Sequence, residues 1–128
     1  MKSDTRFWDE LAVLSYKALL KKKPHDAFIH MSLALAYARL GRENKTIRFL
    51  LRAVKYDKNY AEAYYHLGVF YKRAGKDAEA LRSFKKYRKI LQQDGLEGDV
   101  VAELVDKIKR ETEKREASMH SYKETDTL

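Results

Sequence analysis

The chain has 128 residues, of which 45% are apolar and 36% charged, with no cysteine and a formal net charge of +8. These values predict one compact domain or a short repeat array, and they exclude disulfides and thiolate chemistry. No run of about 18 apolar residues and no signal-peptide pattern is found, so we expect a cytoplasmic protein without a membrane span. The positive charge favours an acidic peptide, nucleic acid or an anionic membrane surface as partner, or serves solubility alone.

The first predicted element is a helix over residues 6–22, which ends before Pro24. The chain then repeats with a period of 34 residues, because residues 27–60 align with residues 61–94 without a gap. Such a period is typical of stacked helical units that bury their apolar faces against one another. The matched pairs include Leu33 with Leu67, Ala34 with Gly68, Tyr37 with Tyr71, Gly41 with Gly75 and Leu50 with Phe84.

Each unit is predicted to contain two helices. In the first unit Leu33, Tyr37 and Leu40 have helical spacing, and Gly41 then provides the left-handed residue that ends a helix. A second apolar stripe follows over Ile47, Leu50, Leu51 and Val54. After the second unit a last helix is predicted over residues 99–117, with Val101, Leu104, Val105 and Ile108 on one stripe, and residues 118–128 are expected to be disordered.

These residues resemble the tetratricopeptide repeat (TPR) family. The second unit carries the family pattern of aromatic, Leu, small residue and Tyr, then Gly, Ala and an aromatic residue, at Tyr64, Leu67, Gly68, Tyr71, Gly75, Ala80 and Phe84. The first unit departs from it at His30, Thr46 and Lys58, and the second at Tyr87 and Gln92. The helix over 6–22 aligns with the second (B) helices of the repeats.

The resemblance implies an all-α, short right-handed solenoid of antiparallel helix pairs with about six helices. It comprises a B helix, two full A–B repeats and a C-terminal capping helix, and it forms a single domain over residues 1–117. The same resemblance implies a non-enzymatic protein–protein interaction module, such as an adaptor, an assembly scaffold or a small chaperone-like holder.

The resemblance also implies that the first helices line a concave groove that holds a partner segment. Its expected residues are Phe28, Met31, Leu35, Arg39, Glu62, Tyr65, Val69, Lys72 and Arg73. Apolar side chains occupy the central positions where the family's carboxylate clamp has Lys and Asn, and cations flank them. We therefore predict a protein or peptide partner with an apolar anchor and acidic flanks. In the alternative, the last helix bends over and fills the groove itself.

Two further surfaces are predicted. Phe7, Trp8 and Leu11 lack a covering helix, which favours self-association or end-on docking to a larger partner. Arg82, Lys85, Lys86, Arg88 and Lys89 form a basic patch on a second helix, and the alternative function is a nucleic-acid-associated protein that uses this surface.

No motif predicts catalysis, a cofactor or a metal. The four histidines show no metal-ligand spacing, and neither a glycine-rich phosphate loop nor a nucleophile elbow occurs. His30 occupies a position of packing between helices, so we expect a structural role for it.

Overall fold

A computed structural model describes residues 5–95 and 99–126, which form six α-helices and no strand. The helices are α1 (Arg6–Lys22), α2 (Ala27–Arg39), α3 (Glu43–Tyr56), α4 (Ala61–Arg73), α5 (Asp77–Gln93) and α6 (Asp99–Asp126). Sequential helices pack against one another, and the pairs α2–α3 and α4–α5 form the two hairpins of the repeat. The prediction of an all-α helical solenoid with six helices is confirmed.

Glycine ends the first helix of each hairpin. Gly41 and Gly75 have φ angles of 75° and 76°, a left-handed conformation that costs a residue with a Cβ atom about 1 kcal/mol or more. The chain can therefore reverse within a few residues, as the sequence predicted. At the other end of α2, the Asp26 carboxylate accepts a hydrogen bond from the Ile29 backbone N–H at 3.0 Å and caps the helix.

The core lies between successive helices rather than at one centre. Met31, Leu50, Ala53 and Leu67 are buried together where α2, α3 and α4 meet. A second cluster joins α5 to α6 through Ala80, Phe84, Val105 and Ile108. This chain of interfaces is how a helical repeat gains stability, since no hairpin buries its apolar face alone.

Small residues set the distance between helices. Gly68 is fully enclosed, and a Cβ atom at this position would lie 2.6 Å from the ring of Phe84. The α4–α5 hairpin therefore closes only because position 68 has no side chain. The equivalent place in the first hairpin holds Ala34, which faces the smaller Leu50.

His30 has a structural role, as expected. Its side chain is 5% exposed, and its Nε2 donates to the backbone carbonyl oxygen of Pro24 at 2.9 Å. The imidazole also stacks on Phe49 and Tyr56. These contacts fasten the turn after α1 to the first hairpin.

The last helix is longer than predicted. It runs from Asp99 to Asp126, whereas the sequence analysis ended it at 117 and expected a disordered tail over 118–128. That expectation was wrong for residues 118–126, because this segment contains neither glycine nor proline to stop the helix. Residues 127–128 and the side chains of Val101 and Leu104 lie outside the part that the structure describes.

Candidate functional site

A cleft of about 300 Å³ opens between α4 and α6, with α5 behind it. Its walls combine apolar side chains with cations and one carboxylate. The lining residues are Tyr65, Val69, Lys72, Arg73, Phe84, Lys107, Ile108 and Glu111. Four of the nine residues predicted for the groove are therefore brought together here.

Tyr65 forms the apolar wall on the α4 side. The side chain is 38% exposed, and its ring meets Phe84 edge-on at 5.9 Å and Tyr87 at 5.5 Å between ring centroids. Val69 lies one turn further along α4, half-buried against the cluster that contains Ile108. The three rings hold one another in place, so the exposed part of Tyr65 is a rigid contact surface.

Ion pairs frame the cleft. Lys72 Nζ lies 2.7 Å from Glu111 Oε2 on α6 and 3.5 Å from Asp77 Oδ1 on α5. The hydrogen bond from Lys72 holds the pKa of Glu111 below its usual range. Arg73 pairs with Glu43 at 2.7 Å and lies over the Phe70 ring, whereas Lys107 has no carboxylate within ion-pair distance among the described residues.

The α2 side of the groove differs from the prediction in one respect. Phe28 is 63% exposed and Leu35 half-buried, but Met31 is only 3% exposed and packs in the core with Leu50 and Leu67. Met31 therefore cannot contact a partner in this conformation. It is buried in the cluster that side chains of α3 and α4 form with those of α2. Glu62 is exposed and lies 3.8 Å from His66.

A row of acidic residues that the sequence pattern did not reveal pairs with cations of the neighbouring helices. Asp9, Glu43 and Asp77 are separated by 34 residues and stand at the start of α1, α3 and α5. Asp9 accepts from Arg39 at 2.8 Å, in the same way that Glu43 pairs with Arg73. A search for acidic residues at the repeat period would have found this row.

The third acidic residue of this row, Asp77, pairs differently from the first two and binds α6 to α5. Asp77 is 7% exposed and bonds to Arg115 Nη1 at 3.1 Å rather than to Lys107, which stands at the repeat-equivalent position. The Thr112 hydroxyl lies 3.4 Å from the same carboxylate oxygen. Helix α6 thus stacks against α5, and its residues Lys107, Ile108 and Glu111 form the far wall of the cleft without filling it.

The apolar residues predicted at the N-terminal end are exposed. Phe7, Trp8 and Leu11 have 62%, 67% and 44% of their surface accessible, and Leu14, which was not predicted, has 64%. Phe7 and Trp8 meet edge-on at 5.2 Å between ring centroids. Large apolar side chains grouped in this way on one helix mark a contact surface more often than a solvated one.

The basic patch on α5 separates into two parts. With about 100° of rotation per residue, Arg82, Lys85, Lys86 and Lys89 share one face of the helix. Arg88 lies about 120° round the helix from Arg82 and belongs to another flank. Arg82 has a carboxylate nearby, that of Glu79 at 3.6 Å.

No group of three or more His, Cys, Asp or Glu side chains that could hold a metal is found within the described ranges. Burial lowers the pKa of His66, against the opposing effect of Glu62, and burial raises the pKa values of Tyr64 and Tyr71. None of the helices that the structure describes is long and apolar enough to cross a bilayer.

The stacked hairpins and their inner cleft define a tetratricopeptide-type helical repeat. Residues 23–109 match the family model of the bacterial transcriptional activator domain, and the chain belongs to this family. It is also 30% identical over 100 residues to tetratricopeptide repeat protein 37 of Xenopus laevis, although it spans only 6% of that protein's length.

Solved structures with the same fold include two TPR domains. The TPR2B domain of yeast Sti1, in its pHsp70 complex, superposes with a TM-score of 0.73 and 23% identity, covering 84% of this chain and 87% of that domain. The Sgt2 TPR domain of Aspergillus fumigatus gives a TM-score of 0.74 with 19% identity, covering 88% and 74% of the two chains. These likenesses establish the fold.

Proposed function

We propose that the protein is an interaction module that holds an extended segment of another protein against α2, α4 and α6. The observation that carries this proposal is the cleft of about 300 Å³ between α4 and α6, which combines an apolar wall with cations. Its volume is at the lower end of the roughly 300–1,000 Å³ range of ligand pockets and is sufficient for one anchoring side chain. The TPR2B domain of Sti1, which shares the fold, forms a complex with pHsp70.

The anchor of the bound segment is apolar. Tyr65 and Val69 line the opening above the buried Ile108, and none of these side chains carries a charge that an apolar group would have to desolvate. Exposed aromatic side chains held by neighbouring rings are typical anchors of protein interfaces, because they bury a large area at low entropic cost.

Acidic residues flank the anchor. Lys107 faces the cleft without a carboxylate partner among the described residues, so an Asp or Glu of the segment gains a charge-assisted contact there. By contrast Arg39, Lys72 and Arg73 are already paired with Asp9, Glu111 and Glu43. A second acidic residue of the segment would therefore have to replace Glu111 on Lys72.

A fluorescent peptide with a Leu-Ile pair between Asp and Glu residues tests the proposal by anisotropy titration. We expect Tyr65→Ala to weaken binding about tenfold to thirtyfold, which corresponds to the loss of one anchor contact of about 1.4–2 kcal/mol. Lys107→Glu should weaken it further and reduce the preference for acidic over neutral flanks.

The matched control is Leu51→Ala. Leu51 is 45% exposed, similar to Tyr65, but it stands on α3 away from the cleft. Its removal should leave the affinity unchanged. Equal affinities of the wild type, Tyr65→Ala and Lys107→Glu proteins would rule out the groove as the binding site.

A further inference from the structure

The outward faces of α3 and α5 carry cations at the same repeat positions. Arg48 corresponds to Arg82, Arg52 to Lys86 and Lys55 to Lys89, each pair separated by 34 residues. Within each helix the three positions recur at intervals of three or four residues and therefore lie on one side. The repeat thus places two rows of three cations side by side on the surface opposite the cleft.

Most of these charges are not neutralised within the chain. Of the six cations only Arg82 has a carboxylate within 4.0 Å in the part of the chain that the structure describes. The arginines beside the groove show the opposite behaviour, since Arg39 and Arg73 each pair with an acidic residue. The outer face therefore carries positive charge that the described part of the chain leaves largely unpaired.

Aromatic rings hold three of the cations without cancelling their charge. The Arg52 guanidinium lies 4.8 Å from the centre of the Phe49 ring, and the ammonium groups of Lys55 and Lys86 lie 5.6 Å and 6.0 Å from those of Tyr56 and Tyr64. Such contacts are each worth about 0.5–1 kcal/mol at exposed sites, so they restrict the side chains and leave the charge available.

We propose that this two-row face, formed by Arg48, Arg52, Lys55, Arg82, Lys86 and Lys89, binds the phosphate backbone of double-stranded DNA. Cations within about one Debye length, roughly 8–10 Å, reinforce one another, and a duplex offers two strands of closely spaced phosphates to such rows. This surface is separate from the peptide cleft, and its occupation does not depend on the proposed function.

Duplex DNA fits the face better than a single strand or an acidic protein segment. Single strands are held mainly by bases stacked on exposed aromatic rings. Tyr64 is half-buried and lies beneath Lys86, and the exposed ring of Tyr56 already packs against His25 and His30. An acidic protein segment needs apolar anchors beside its charges, and the cleft between the rows, of about 210 Å³, offers Leu51 and Val54 for this. The six cations, however, recur at the repeat spacing, and five of them have no carboxylate within ion-pair distance in the described part of the chain; a duplex, which carries a charge on every phosphate, can contact such rows without an apolar anchor.

The experiment is an anisotropy titration of a random-sequence 20-base-pair duplex with the full chain between 50 and 200 mM salt. If all six cations contact phosphates, the slope of log Kobs against log salt is about −5.4, since each contact contributes about −0.9. The double variant R52Q/K86Q, which removes one cation from each row, should bring the slope to about −3.6. The control R110Q/K114Q removes the same charge from the exposed side of α6 and should keep the wild-type slope.

Three results would overturn the proposal. Equal slopes for the two double variants would show that only net charge attracts the DNA. Tighter binding of the single strand of the same sequence would contradict a duplex site, and tighter binding of polyglutamate at equal charge concentration would assign the face to acidic proteins. Circular dichroism confirms that each variant keeps the wild-type helix content.

Discussion

At the scale of single residues, the two hairpins fill the space between their helices with different pairs of residues. The second hairpin combines Gly68 with Phe84, whereas the first combines Ala34 with Leu50 at the equivalent positions. The hairpin with the smaller residue on its first helix has the larger side chain on its second helix. The small residue is therefore chosen together with its partner and not for helix propensity, which disfavours glycine by about 1 kcal/mol.

This reciprocity predicts the outcome of a double-mutant cycle. Gly68→Ala alone should lower the free energy of unfolding by about 1–2 kcal/mol, because the new methyl group overlaps the Phe84 ring despite the better helix propensity. Gly68→Ala combined with Phe84→Leu recreates the pair of the first repeat and should recover most of the loss. Urea denaturation measures both values, and additive effects of the two substitutions would contradict the explanation.

At the scale of helices, one buried carboxylate determines how α6 is held. Asp77 lies in the first turn of α5 and bonds to Arg115 of α6, while Lys72 of α4 joins Asp77 to Glu111 of α6. Three helices thus meet at one network at the edge of the cleft. Apolar contacts of Val105 and Ile108 with Phe84 complete the interface.

Asp77→Asn tests this network. The amide keeps the size of the side chain but leaves Arg115 without its anionic partner, so we expect a loss of about 2 kcal/mol and faster hydrogen exchange along α6 than in the wild type. Glu79→Gln on the exposed side of the same helix is the control and should change stability by less than about 0.5 kcal/mol. Unchanged exchange in α6 of Asp77→Asn would show that apolar packing alone holds the helix.

Much of this architecture could be predicted from sequence because residues with the same packing role recur every 34 positions. The glycine turns and apolar stripes at 34-residue spacing define the hairpins, and the structure has Tyr65, Val69, Lys72 and Arg73 at one cleft. Met31 is buried instead, because its burial depends on packing between helices that the repeat period does not specify. The end of α6 was not predicted, and neither was the pairing of Asp77 with Arg115 in place of Lys107. Both depend on how α6 packs, which the 34-residue pattern of the two preceding repeats does not describe.

At the scale of the whole molecule, α1 presents a group of exposed apolar side chains outside the groove. Phe7, Trp8, Leu11 and Leu14 are all exposed on this first helix. The equivalents of Leu11 and Leu14 on α3 are Lys45 and Arg48, so the apolar character is particular to α1. We expect two chains to associate through this face, because a self-complementary helix surface favours a twofold dimer.

Light scattering over a concentration series tests the association. The wild type should show a mass that rises with concentration from the 15.1 kDa of one chain toward twice that value. Leu14→Glu should remain monomeric, while Leu51→Glu on α3 should behave as the wild type does. A wild-type mass that stays at that of one chain throughout would exclude self-association.

The central claim is that the cleft between α4 and α6 receives the anchor of a partner segment. Backbone amide chemical shifts, followed while the Leu-Ile peptide with acidic flanks is added, test it most directly. We predict the largest changes at Tyr65, Val69, Lys107 and Ile108, with little change at Arg52 and Lys86 on the outer face. Saturable shifts confined to the outer face or to α1, with none around the cleft, would contradict the account.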